Sequence, residues 1–108
     1  MPVKEIEEIK KIHVFAYEDD IKILEYLYRD NMGVSKAVRN IIRSFISKGR
    51  TLPETITSRN KRQIWFKIYL SDLEKINSMS DNLSHFVCQV IHQFITENEL
   101  VLEKFEEI

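Results

Sequence analysis

The chain has 108 residues, 44% hydrophobic and 31% charged, with a formal net charge of −1 at pH 7. That balance excludes a disordered or low-complexity chain and suits one compact domain. No apolar run reaches bilayer length, the opening MPVKEIEEIKK lacks the apolar stretch of a secretory leader, and the single cysteine, Cys88, rules out an internal disulfide framework. The expectation is a cytoplasmic protein without membrane contact.

In chain order, Ile12 to Tyr17 alternates and is rich in strand formers. Glu18, Asp19 and Asp20 then supply carboxylates suited to a helix start. That helix runs to about Asn31, with Ile21, Leu24, Leu27 and Tyr28 on one face, before the turn signal Asn31-Met32-Gly33. Ser35 is read as the cap of a second helix carrying a stripe of Val38, Ile41, Ile42 and Phe45. Residues 49–61, polar and broken by Pro53, form a linker. The pattern then restarts. Gln63 to Leu70 predicts a strand, with Ser71 and Asp72 as cap and first-turn acid of a shorter helix using Leu73, Ile76 and Met79. After Asp81-Asn82, Ser84 caps a last helix with Val87, Val90, Ile91 and Phe94 on its stripe. An acidic, amphipathic tail, ELVLEKFEEI, fills residues 99–108.

The second half therefore repeats the first. GVSKAVRNIIRSFISKG returns as NLSHFVCQVIHQFITEN at an offset of 49, matching Ser35 with Ser84, Val38 with Val87, Ile42 with Ile91 and Phe45 with Phe94. Upstream, the offset is 52, matching Tyr17 with Tyr69 and Asp20 with Asp72. A unit of about forty residues is too small to bury a core alone, so the two copies (10–48 and 62–98) are expected to share one. A lone strand leaves its backbone groups unpaired and a helix hairpin leaves its stripe wet; pairing the strands antiparallel over four helices resolves both. The predicted fold class is mainly α with a two-stranded antiparallel ribbon.

Charge is separated along the chain. Lys36, Arg39, Arg43, Lys48, Arg50, Arg59, Lys61, Arg62 and Lys67 face one acid, Glu54, between Gly33 and Lys67, whereas six acids face Lys104 alone from Asp81 to Ile108. Kept in three dimensions, this makes a positive face on a nearly neutral protein. Read without a partner, these are ordinary solvated charges.

The doubled strand–helix–helix pattern resembles the ribbon-helix-helix family of DNA-binding proteins, the superfamily of the MetJ and Arc repressors. The best match is the second helix: a turn residue, a hydrophobe, Ser, two residues, Val, then paired aliphatics and an aromatic. The doubling is similar to tandem versions among transcriptional regulators of hyperthermophilic archaeal viruses, which would place the protein in a host cytoplasm. The resemblance implies two units forming a pseudo-dimer, a ribbon in the major groove of double-stranded DNA, and a phosphate clamp at the start of each second helix. Carried onto this chain, the clamps are Val34, Ser35 and Lys36, with Arg39 behind them, and Leu83, Ser84 and His85. Plain capping is the bland role of the two serines. Chains could also self-associate on DNA.

Simple alternation turns Ile12, Val14, Ala16, Ile64, Phe66, Ile68 and Leu70 inward, leaving His13, Phe15, Tyr17, Trp65, Lys67 and Tyr69 toward DNA. The family's spacing instead puts Tyr17 inward and turns Ile12, Val14 and Ala16 outward. Alternation is preferred, because the wrong register exposes the whole apolar set. The outer aromatics depart from the small or polar readers usual in the family; they suit thymine methyls or shape, or else a core or oligomer interface.

Catalysis is not expected: the chain has two glycines and no phosphate loop, and no nucleophile–base arrangement stands out. His85, Cys88 and His92 fall at i, i+3 and i+7 and could present three metal ligands, but no second cysteine completes a zinc set, so no metal or other cofactor is expected. The reading from a different class is a protein-interaction module, antitoxin-like or virion-associated, holding a partner with the tail from Glu97 to Ile108.

Overall fold

The computed structural model describes residues 8–28, 33–51 and 60–98. The Asn31-Met32 part of the expected turn, most of the linker and the acidic tail lie outside them. The described elements are β1 (Ile9–Tyr17), α1 (Glu18–Tyr28), α2 (Gly33–Ser47), β2 (Lys61–Tyr69), α3 (Leu70–Met79) and α4 (Leu83–Glu97). The molecule is mainly helical, with one two-stranded antiparallel sheet. No described helix is long and apolar enough to cross a membrane.

The register of the ribbon follows from the repeat. β1 pairs with β2 so that His13 faces Trp65, Lys11 faces Lys67 and Phe15 faces Gln63. His13 and Trp65 are separated by 52 residues, the repeat offset, so equivalent positions meet at the ribbon's centre and the two strands run outward from there. The ladder is closed alike at both ends. Glu18 N–H donates to the Asn60 carbonyl at 3.0 Å, and Leu70 N–H to the Glu8 carbonyl at 2.8 Å. Both strands are longer than alternation alone predicts, because Ile9–Lys11 and Lys61–Arg62 pair through the backbone although their side chains are exposed.

One face of the ribbon is buried: Val14, Ala16, Ile64, Phe66 and Ile68 lie inward, as alternation requires. Under them sit the α2 and α4 stripes, in which Val38, Ile42, Val87 and Ile91 are fully buried. Ile21, Leu24 and Ile76 close the core from α1 and α3. Each such large side chain contributes about 1.5–3 kcal/mol through removal from water. Three expectations shift. Ile23 joins the α1 core whereas Leu27 and Tyr28 are only half-buried, Met79 is 56% exposed, and Leu70 opens α3 instead of ending β2.

α2 ends in a Schellman motif. Gly49, at φ 63°, donates its N–H to the Ile46 carbonyl, and Arg50 N–H reaches the Phe45 carbonyl at 3.4 Å. At the equivalent position in the second repeat, Asn98 N–H and Nδ2 both donate to the Phe94 carbonyl.

Candidate nucleic-acid interface

A two-stranded ribbon leaves one edge of each strand without a ladder partner. Here serines from the long helices fill part of that edge. Phe15 N–H donates to Ser84 Oγ at 2.7 Å, and Lys67 N–H donates to Ser35 Oγ at 3.1 Å. Phe15 and Lys67 are equivalent positions, as are Ser35 and Ser84. Each long helix is thus fastened at its start to the strand of the other repeat. This corrects the capping role read from the sequence. The N-cap of α4 is Asn82, whose Oδ1 accepts from His85 N–H at 3.0 Å; Ser84 sits inside the first turn. In the first repeat Gly33 stands in Asn82's place and brings no side chain to cap with.

The serine ties bring both helix starts, Val34–Lys36 and Leu83–His85, beside the ribbon. Lys36 and His85 are exposed, and Val34, Ser35, Leu83 and Ser84 are half-buried. Arg39 is half-buried too, with its guanidinium carbon 5.5 Å from the Tyr69 ring and its Nε buried without a hydrogen-bond partner among the described residues.

The ribbon's outer face carries Lys11, His13, Phe15, Gln63, Trp65 and Lys67, all exposed. Trp65 and Phe15 are 56% and 49% exposed, unusual for such large apolar groups. At the centre the His13 and Trp65 rings lie 4.6 Å apart, and Lys11 Nζ stands 5.4 Å over the Trp65 ring. Lys11 and Gln63 were not among the residues expected on this face; Gln63 already opens the second predicted strand and continues the outward set of Trp65 and Lys67, and Lys11 lies one residue before the first predicted strand.

Tyr17 and Tyr69 do not belong to this face. Tyr17 is 1% exposed; its hydroxyl accepts from Gln89 Nε2 at 3.1 Å and its ring meets His92 edge-on. Tyr69 is half-buried beneath Arg43, whose guanidinium carbon lies 3.8 Å from the ring centre. Both stand at a strand end, where the chain turns into a helix and strict alternation stops applying. The family spacing therefore describes Tyr17 correctly, while alternation describes Val14 and Ala16.

Beside each tyrosine is a buried acid with a basic partner from the opposite repeat. Asp72 Oδ2 accepts from Arg43 Nε at 2.9 Å, and Ser71 Oγ accepts from the same guanidinium at 3.1 Å. At the matching place Asp20 Oδ2 lies 2.9 Å from His92 Nδ1. Arg43 is therefore committed to packing and is withdrawn from the positive face read from the sequence. Of the helix-start acids, Asp20 and Asp72 are buried, at 3% and 4% exposed.

The would-be metal set does not converge: His85 is exposed, Cys88 is buried and His92 is held on Asp20. Among the described residues no three His, Cys, Asp or Glu side chains are placed to share an ion. Burial pushes the Cys88 thiol above its ordinary value. A group whose folded pKa is raised adds stability that is complete below its unfolded value and lost as pH rises through the folded value. Stability is therefore expected to fall above roughly pH 8.5, and Cys88→Ala to flatten that limb, as read by urea unfolding across the alkaline range.

A groove of about 460 Å³ lies between the later turns of α2 and α4, lined by Ile41, Phe45, Val90 and Phe94 and bridged by the Arg50–Glu97 ion pair. No strand residue contributes to it. No family model, curated protein or solved structure matches the chain.

Proposed function

We propose that the chain binds duplex DNA as a transcriptional regulator, its two strand–helix–helix repeats acting as tandem ribbon-helix-helix units in one pseudo-dimer. One observation carries this reading: an exposed ribbon face bearing Lys11, His13, Trp65 and Lys67 is flanked by two helix starts, each fastened to it by a serine. A two-stranded ribbon fits the major groove, and helix starts beside it present free N–H groups and a positive dipole end to the phosphates. Lys36 and His85 add side-chain donors at those two points.

The reading is tested by mobility shift with mixed duplex DNA over a salt series. Binding is expected at low salt, with the logarithm of the association constant falling linearly against that of salt at a slope near −0.9 per phosphate neutralised. Absence of any shift at low salt refutes it.

A further inference from the structure

We infer that the DNA site is directional: guanine-bearing at one end of the ribbon's footprint, A·T at the other, and not an inverted repeat. This rests on the duplex-binding reading and adds what the duplex must look like.

Two identical strands paired about the His13–Trp65 centre would present the same residues at both ends. This ribbon does not. One end carries Lys11 directly opposite Lys67; the other carries Phe15 opposite Gln63. All four side chains are exposed on the outer face.

The chemistry of the ends differs in a way the major groove can register. Lysine donates to guanine O6 and N7, glutamine pairs with adenine N6 and N7, and phenylalanine packs on the thymine methyl. The lysine pair has a cost in the free protein, because like charges directly across an antiparallel pair repel. Among the described residues neither lysine has an ion-pair partner; the cations in such pairs are Arg43, Arg50 and Arg62. Among the described residues, Lys11 has the Trp65 ring as its partner. A surface rich in acceptors, such as the guanine edge, relieves that repulsion.

The serine ties extend the polarity into the helices. Ser35 binds the backbone of Lys67, so the lysine end adjoins the start of α2, with exposed Lys36 and with Gly33 where the second repeat has Asn82. Ser84 binds the backbone of Phe15, so the Phe–Gln end adjoins the start of α4, where Asn82 already occupies the His85 N–H. Base reading and backbone attraction are therefore biased toward the same end.

The test is selection of binding sites from randomised duplexes at moderate salt, with the wild type and with the double variant Phe15→Lys/Gln63→Lys. The wild type is expected to return a non-palindromic site with guanines at one end and A·T pairs at the other; exchanging those guanines for A·T should weaken binding roughly tenfold or more. The variant carries lysine pairs at both ends and should select guanines at both, in inverted orientation. All four positions being exposed, its unfolding midpoint should stay near that of the wild type. A wild-type site that is an inverted repeat, duplex binding without any common sequence, or the same site for both proteins overturns the inference while leaving duplex binding standing. No binding of any duplex at low salt overturns both.

Discussion

Arg43→Ala is expected to lower the stability of the fold by about 3 kcal/mol, the cost of leaving a buried carboxylate without its cation. The Asp72 side chain is 5% exposed and its pair with Arg43 Nε is 2.9 Å long. The same guanidinium holds Ser71 and lies on the Tyr69 ring, so one truncation removes an ion pair, a hydrogen bond and a cation–π contact. For a domain of this size, about 3 kcal/mol corresponds to a fall in Tm of more than roughly 10 °C. His92→Ala, which removes one hydrogen bond from Asp20 at the equivalent place, should cost about 1–2 kcal/mol. Urea unfolding with unchanged m-values checks both. If Arg43→Ala costs less than about 0.5 kcal/mol, the pair behaves as a surface ion pair and the packing role assigned to it is wrong.

The second large effect is on binding. On the duplex-binding proposal, Lys36→Glu should weaken duplex affinity at least tenfold and reduce the salt slope by about one or more, because an anion replaces the cation at the proposed phosphate contact. His85→Glu, at the matching position, should do distinctly less. Asn82 already caps the His85 N–H, so one backbone donor of that helix start is taken before any phosphate arrives. Lys36 and His85 are exposed, so neither change should disturb the core. Titrations of both variants against one duplex decide the matter: equal losses would show that the two halves contribute alike.

Much of the architecture was legible in the sequence because it depends on short-range pattern. The α2 and α4 stripes appear as Val38, Ile42, Val87 and Ile91 at helical spacing, and the ribbon as two alternating runs separated by the repeat offset. What local pattern could not supply were partners distant in the chain. Ser35 and Ser84 look like caps, since serine often precedes a helix, yet their hydroxyls serve strands 32 and 69 residues away. Asp20 and Asp72 look like first-turn acids, and only the folded chain brings His92 and Arg43 to them. Tyr17 was misplaced for another reason: period-two alternation fails at a strand–helix junction. The exposed Trp65 and Phe15 did follow alternation, although their size argued for burial.

Because β1 and β2 belong to one polypeptide, the ribbon does not depend on two molecules meeting. A reader assembled from separate chains falls apart on dilution by mass action, whereas here the second strand is held at a fixed, high local concentration by the covalent chain. Tm should therefore be unchanged over a hundredfold range of protein concentration. At a few copies per cell the protein would still present a complete ribbon, so, on the duplex-binding proposal, occupancy of a site would rise linearly with protein at low concentration instead of with its square.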